Sequence, residues 1–407
     1  MIQFTKHIQI GLSFFLVAAV LGLLLRYAFV FDFNFVYRYV VHAHSHVALM
    51  GWIHFAVSTL ICYYFIKPHV PTKTYNIIFG SMLFSVLGML ASFPFQGYAF
   101  FSIFFSSAFL ISTYFYAWAY FKYSLNVVKK KSPSHIVTKY ALVYMIISSL
   151  GPWAIGAVMA TVGQDYFWYN TTIYFYLHFQ YNAWIILGAL GVFLRILENN
   201  SIFFPKNDFQ YFIKTFNVSI VLTFFISILF STPAHEFYVL ALFGSMLQFT
   251  AFFVFYRFIK QNKSKIISVF SPLSVFLLKW TLILFFAKIT MQFFGSFPYI
   301  ANLVTTNNYL AIGFLHWIFL GVSTMSLFAL LEKSKLIRLT KTSVRIYFIG
   351  FVLTEIIIFY QPVARFFNFK TGQYYYHILL LASMFLVASI ANIIVLQLYK
   401  KLKSDSH

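Results

Sequence analysis

Apolar residues fill this chain in runs of roughly eighteen or more, each long enough to cross about 30 Å of hydrocarbon, with short basic segments between them. The runs are continuous and lack the short alternating segments of a transmembrane barrel. Assigned by apolar length, they predict helices over approximately 10–31 (α1), 41–66 (α2), 76–95 (α3), 99–121 (α4), 139–162 (α5), 170–194 (α6), 212–231 (α7), 237–257 (α8), 268–291 (α9), 309–331 (α10), 345–361 (α11) and 374–398 (α12). The expected fold is an all-α integral membrane protein of about twelve transmembrane helices. It is read as a single polytopic domain over residues 1–407, with no solenoid-type repeat.

The loops test that count. Lys67 and Lys73 follow α2, and Lys122, Lys129, Lys130 and Lys131 follow α4. Arg195 and Lys206 follow α6, and Arg257, Lys260, Lys263 and Lys265 follow α8. Lys333, Lys335, Arg338 and Lys341 follow α10, and Lys400, Lys401 and Lys403 follow α12. The alternate loops are nearly free of Lys and Arg, apart from Arg38, Arg365 and Lys370. Cytoplasmic loops carry the positive charge, so both termini are expected in the cytoplasm. The membrane is expected to be the bacterial inner membrane, crossed many times.

Composition agrees. Of 407 residues, 61% are hydrophobic and 9% charged, where a soluble domain carries about a quarter charged. The formal charge of +21 does not point to nucleic acid, because the basic residues lie between spans and not on a soluble face. The single cysteine, Cys62, excludes a disulfide framework and a thiolate cluster. The first residues, MIQFTKHIQIGLSFF, lack a small-residue cleavage site and read as the start of a retained helix.

The candidate chemistry is histidine. His42, His44, His46 and His54 lie in VHAHSHVALMGWIHF on α2, His178 in α6 and His316 in α10. Ionisable groups at membrane depth are costly and mark sites or pathways. Imidazole is the usual ligand of haem iron and suits copper. With even-numbered helices running outside to inside, His42, His44 and His46 fall in the outer turns of α2. His178 lies ~12 Å and His316 ~10 Å into their helices, so all share one outer layer. His42 and His46 are four apart and share a face, while His44 points nearly opposite. Ala48 and Gly51 are small enough to let a macrocycle or a helix approach. His46 or His42 with His316 is the expected axial pair, and His178 is left for a second centre. His54 reads as structural, and His69, His235 and His377 as interfacial groups near helix ends. That α2, α6 and α10 carry histidine at intervals of four helices suggests a pseudo-threefold arrangement.

HAHSHVALMGW, YLHFQYNAW and FLHWIFLGV resemble segments of the haem–copper oxidase subunit I superfamily, nearest in flavour to cbb3-type oxidases and nitric-oxide reductases. The resemblance implies a twelve-helix core that holds a haem, of b type, and copper in the outer half of the membrane. It implies a haem ligand at His46 or His44, another at His316, and a copper ligand at His178 with Tyr181 beside it. α7 lacks the family's histidine pair and α10 has one histidine where the family has two, so the implied copper site is incomplete. The chain is also similar to smaller haem- and copper-containing membrane proteins of nitric-oxide tolerance, whose helices begin with a comparable HAH.

Glu355 in α11 and Tyr181 are candidate proton-transfer groups, with Lys279 and Lys288 in α9 less so. Arg26, Arg38 and Arg365 could clamp anionic propionates or anchor at the interface. The expected function is haem-dependent electron transfer or chemistry on nitric oxide or oxygen. An electron-donor subunit or cytochrome would be the partner, since no C-x-x-C-H motif is present. The alternatives are a proton or metal transporter with a histidine-lined path, and a haem-holding assembly or sensing protein without turnover.

Overall fold

The computed structural model describes residues 2–124, 131–163, 166–370 and 372–405. Among them every regular element is helical, and twelve helices are long and apolar enough to span a membrane. They are α1 Phe4–Tyr27, α2 Tyr37–Ile66, α3 Thr72–Gln96, α4 Phe100–Tyr123, α5 Pro133–Thr161, α6 Phe167–Asn199, α7 Lys206–Ser231, α8 His235–Gln261, α9 Pro272–Gly295, α10 Asn308–Lys333, α11 Lys341–Phe366 and α12 Tyr375–Leu398. This is an all-α, multi-pass membrane protein. Most helices begin several residues before the apolar runs do, because polar and capping residues join the first turn. Ser132, Ser271 and Thr340 accept backbone N–H bonds at the starts of α5, α9 and α11, filling donors that a helix end leaves open. Lys129 and Lys130 lie outside the described residues.

Prolines act according to position. Pro272 sits in the first turn of α9, where a missing N–H costs nothing. Pro152 lies inside α5, and the helix breaks between Ser148 and Leu150, where the ring would meet the carbonyl four residues back.

The chain divides into two compact units, Met1–Val127 with Leu327–His407, and Val128–Ser326, the boundary falling within α10. In the first unit α1 packs on α2 and α12, α3 on α4, and α11 on α12. Its core stacks Trp52 on Phe15 at 4.9 Å and 3°, with Phe328 and Tyr347 against them. In the second unit α5 packs on α6, and α7, α8 and α9 pack in succession. There Phe204 stacks on Phe258 at 4.4 Å, and Tyr144 on Phe179 at 5.6 Å. Two carboxylates tie helices at the unit's basic ends. Glu198 accepts from the backbone N–H and the hydroxyl of Ser134 at the α5 N-terminus, a favourable place for a negative charge. Asp208 pairs with Arg257 at 2.8 Å.

Burial separates the helices sharply. In its most apolar eighteen-residue stretch α2 is 89% buried, α6 83% and α10 67%, while the other nine spans reach 50% or less. These three interior spans are the ones that carry His42, His44, His46, His178 and His316. They also share a backbone irregularity. The α-helix gives way to π-helix over Val47–His54 and Cys62–Ile66 in α2, Gln180–Ile185 in α6 and Trp317–Thr324 in α10.

Candidate functional site

Three of the four π-turns begin one or two residues after a histidine. His46 immediately precedes the first of them, His178 lies two residues before the second, and His316 immediately precedes the third. A π-turn inserts one residue into the helical register and re-aims the side chains around it, and such turns gather at functional sites. The same device thus recurs close after one histidine in each of the three interior spans.

On α2 the histidines divide between two faces, as their spacing predicts. His42 and His46 turn toward α3. The His46 ring lies 4.4 Å from Phe93, and the His42 ring 4.6 Å from Tyr98 in the turn after α3. Tyr98 donates its hydroxyl to Nε2 of His46 at 3.3 Å, and Nδ1–H of His46 donates to the His42 carbonyl at 2.9 Å. The turn that presents Tyr98 needs Gly97. Its φ of +60° suits glycine, and a Cβ there would stand 2.4 Å from the Tyr39 ring.

His44 faces α1. Its Nδ1–H donates to the Ala18 carbonyl at 2.8 Å, and a Cβ on Gly22 would lie 3.0 Å from its Cε1. The room expected at Gly51 is filled by α1: a Cβ there would stand 2.8 Å from Cβ of Phe14. Gly51 therefore serves helix packing and not the approach of a macrocycle. Arg26, one turn along α1 from Gly22, turns into the bundle and donates to the Ser383 hydroxyl of α12. Its charge acts on Glu355 of α11 and on His44. Glu355 is 2% exposed, and neither carboxylate oxygen has a hydrogen-bond partner among the described residues. Arg38 and Arg365 are exposed. The first unit thus gathers His44, Arg26, Glu355 and Ser383 from four helices that are distant in sequence.

His178 and His316 belong to the second unit. His178 is buried with both ring nitrogens engaged. Nε2–H donates to the Ile220 carbonyl of α7 at 2.8 Å, and Asn182 donates to Nδ1 at 3.1 Å. Tyr181 lies with its ring 6.2 Å from His178 and edge-on to Phe314 and Phe319 of α10. The earlier start of α6 carries His178 roughly 16 Å along its helix, deeper than its apolar run suggests. His54 is buried against Phe109, while His69, His235 and His377 are exposed near helix ends. In α9 the two lysines lie on different faces: Lys279 is exposed and Lys288 fully buried.

Two fits can be tested on this geometry. For haem, His44 and His46 each hold Nδ1–H on a backbone carbonyl. That bond fixes the tautomer whose Nε2 lone pair ligates iron. The donor chemistry of His44 therefore fits an axial position, whereas Nε2 of His46 already accepts from Tyr98. For copper, no three His, Cys, Asp or Glu side chains gather to hold a metal among the described residues, and His178 has both nitrogens bonded within the protein. These residues do not fit a copper centre.

Tyr98, Ser383 and Asn182 take part in these clusters without having been singled out in the sequence. Asn182 follows His178 by one turn and was legible from spacing. The others come from helices or turns remote in the chain. No protein-family model matches this chain, and no curated protein matches it.

Proposed function

We propose that this protein binds haem through the outer histidines of α2 and acts in membrane electron transfer or in chemistry on nitric oxide or oxygen, in a bacterial inner membrane. One observation carries the reading: the three most buried spans are the ones that bear His42, His44, His46, His178 and His316, and each turns π-helical close after one of them. Interior histidines on re-registered helices suit a held prosthetic group better than lipid-facing packing. Bound haem would supply a one-electron couple and an iron coordination position. The chain's own part is to fix the imidazole tautomer through Ala18 and His42, with the Arg26 cation held in the same unit. Electrons would arrive from a separate donor subunit or cytochrome.

The test is purification in mild detergent, followed by an absorbance spectrum and iron analysis. A Soret band and stoichiometric iron are expected. His44→Ala or His46→Ala should abolish or shift the low-spin signal, and His178→Ala should leave it unchanged. A colourless, iron-free protein overturns the reading.

A further inference from the structure

In the second unit a polar cluster lies buried between α8 and α9. Lys288 is 0% exposed in the apolar run of α9. Its Nζ makes one long hydrogen bond, 3.4 Å to Oε1 of Gln248 on α8, and lies 5.3 Å from the Phe285 ring centroid. No carboxylate pairs with it among the described residues, where the ion pairs are Arg195–Glu198 and Arg257–Asp208. Gln248 is itself 0% exposed, and its Nε2 has no acceptor. Gln292 follows Lys288 by one turn on the same face, is 4% exposed, and its Oε1 has no donor.

The imbalance has a sign. Lys288 offers three N–H groups and Gln248 two more, yet one Gln248 oxygen is engaged and one Gln292 oxygen stands unused. Donors and a positive charge are in surplus where water is excluded. An uncompensated ammonium in such a place is expensive, and an unmade buried hydrogen bond adds to the cost. A single negative charge among these N–H groups would satisfy both demands, because charge-assisted hydrogen bonds are the strong ones. Two buried hydroxyls continue the same polar seam. Ser245 of α8 and Ser296 at the end of α9 approach to 3.3 Å, and Ser296 donates to the Gln292 carbonyl. These hydroxyls and amides run from the end of α9 to Lys288, roughly 12 Å along the axis.

We infer that Lys288 and Gln248 form a binding site for one small monovalent anion, a halide or a nitrite- or nitrate-type oxyanion. A divalent anion would replace the surplus positive charge with a surplus negative one. The site is independent of the haem reading and stands or falls separately.

The probes are chloride, nitrite and nitrate, added to the full-length protein in detergent at constant ionic strength with gluconate as the balancing anion. Chloride NMR line broadening reports binding directly. The wild-type protein should broaden the chloride line saturably, and whichever of nitrite or nitrate belongs in the site should displace it at lower concentration. Lys288→Met should abolish the broadening while keeping helical content. Gln248→Leu, which removes the amide with its two N–H groups and leaves the charge, should weaken apparent affinity by about tenfold. Should Lys288→Met fail to fold, Gln248→Leu and Lys288→Arg decide, the arginine retaining binding. An absent effect in the wild type, or broadening unchanged by Gln248→Leu and Lys288→Met, overturns the site.

Discussion

A methyl group on Gly22 would stand 3.0 Å from Cε1 of His44, so a single carbon on α1 can move a ring on α2 without touching the ring's chemistry. Overpacking of this kind costs about 1–3 kcal/mol. If His44 is the iron ligand, haem should leave Gly22→Ala roughly ten- to a hundredfold faster than the parent. The measurement is transfer of haem to an apo-globin acceptor. An unchanged rate would move the ligand to His46, whose contacts lie on α3. Some of this scale was legible in the chain. The opposed faces of His42/His46 and His44 followed from 3.6 residues per turn, and the separation of Lys279 from Lys288 followed in the same way. What each face meets was not legible. Ala18, Phe93 and Tyr98 are supplied by other helices, and no local spacing relates Arg26 to Ser383, 357 residues away.

At the scale of elements, the spans were the clearest message of the sequence, since burying a backbone in hydrocarbon demands continuous apolar helices of a set length. Most of their starts moved outward by several residues, because caps and interfacial polar groups belong to the helix but not to its apolar run, while α9 starts four residues later, at the proline that follows its Ser271 cap. The π-turns had no such signature. A π-turn shows in the sequence only as ordinary apolar residues, and packing of an interior helix decides whether one extra residue is held in a turn. This gives a direct experiment. Deleting Ala48 from the Val47–His54 turn would let α2 close as continuous α-helix and re-aim the side chains around His46. Helical content by circular dichroism should be unchanged, while the haem absorbance should fall to background. Retention of the full spectrum would show that the π-turn does not position the ligands.

For the whole molecule, charge and burial answer different questions. The basic residues recur after every even-numbered helix, which predicts that both ends of the chain face the cytoplasm. A C-terminal green fluorescent protein fusion should fluoresce, and an alkaline phosphatase fusion at the same place should be inactive. The reverse pattern would invert the sidedness of the histidine layer as well. The division into two compact units was not visible in composition, since one boundary falls between α4 and α5 like any other inter-span segment and the other falls inside α10, with no linker to mark it.

The sequence alone determined that the chain crosses a membrane about twelve times as helices, and which helix faces carry histidine. Hydrocarbon thickness and helical period are constraints that act along the chain and can be read from it. The tertiary structure decided which spans are interior, where they turn π-helical, and which partners meet His44, Glu355 and Lys288. Those depend on which helix lies beside which, a choice made by packing between segments that share no neighbourhood in the chain.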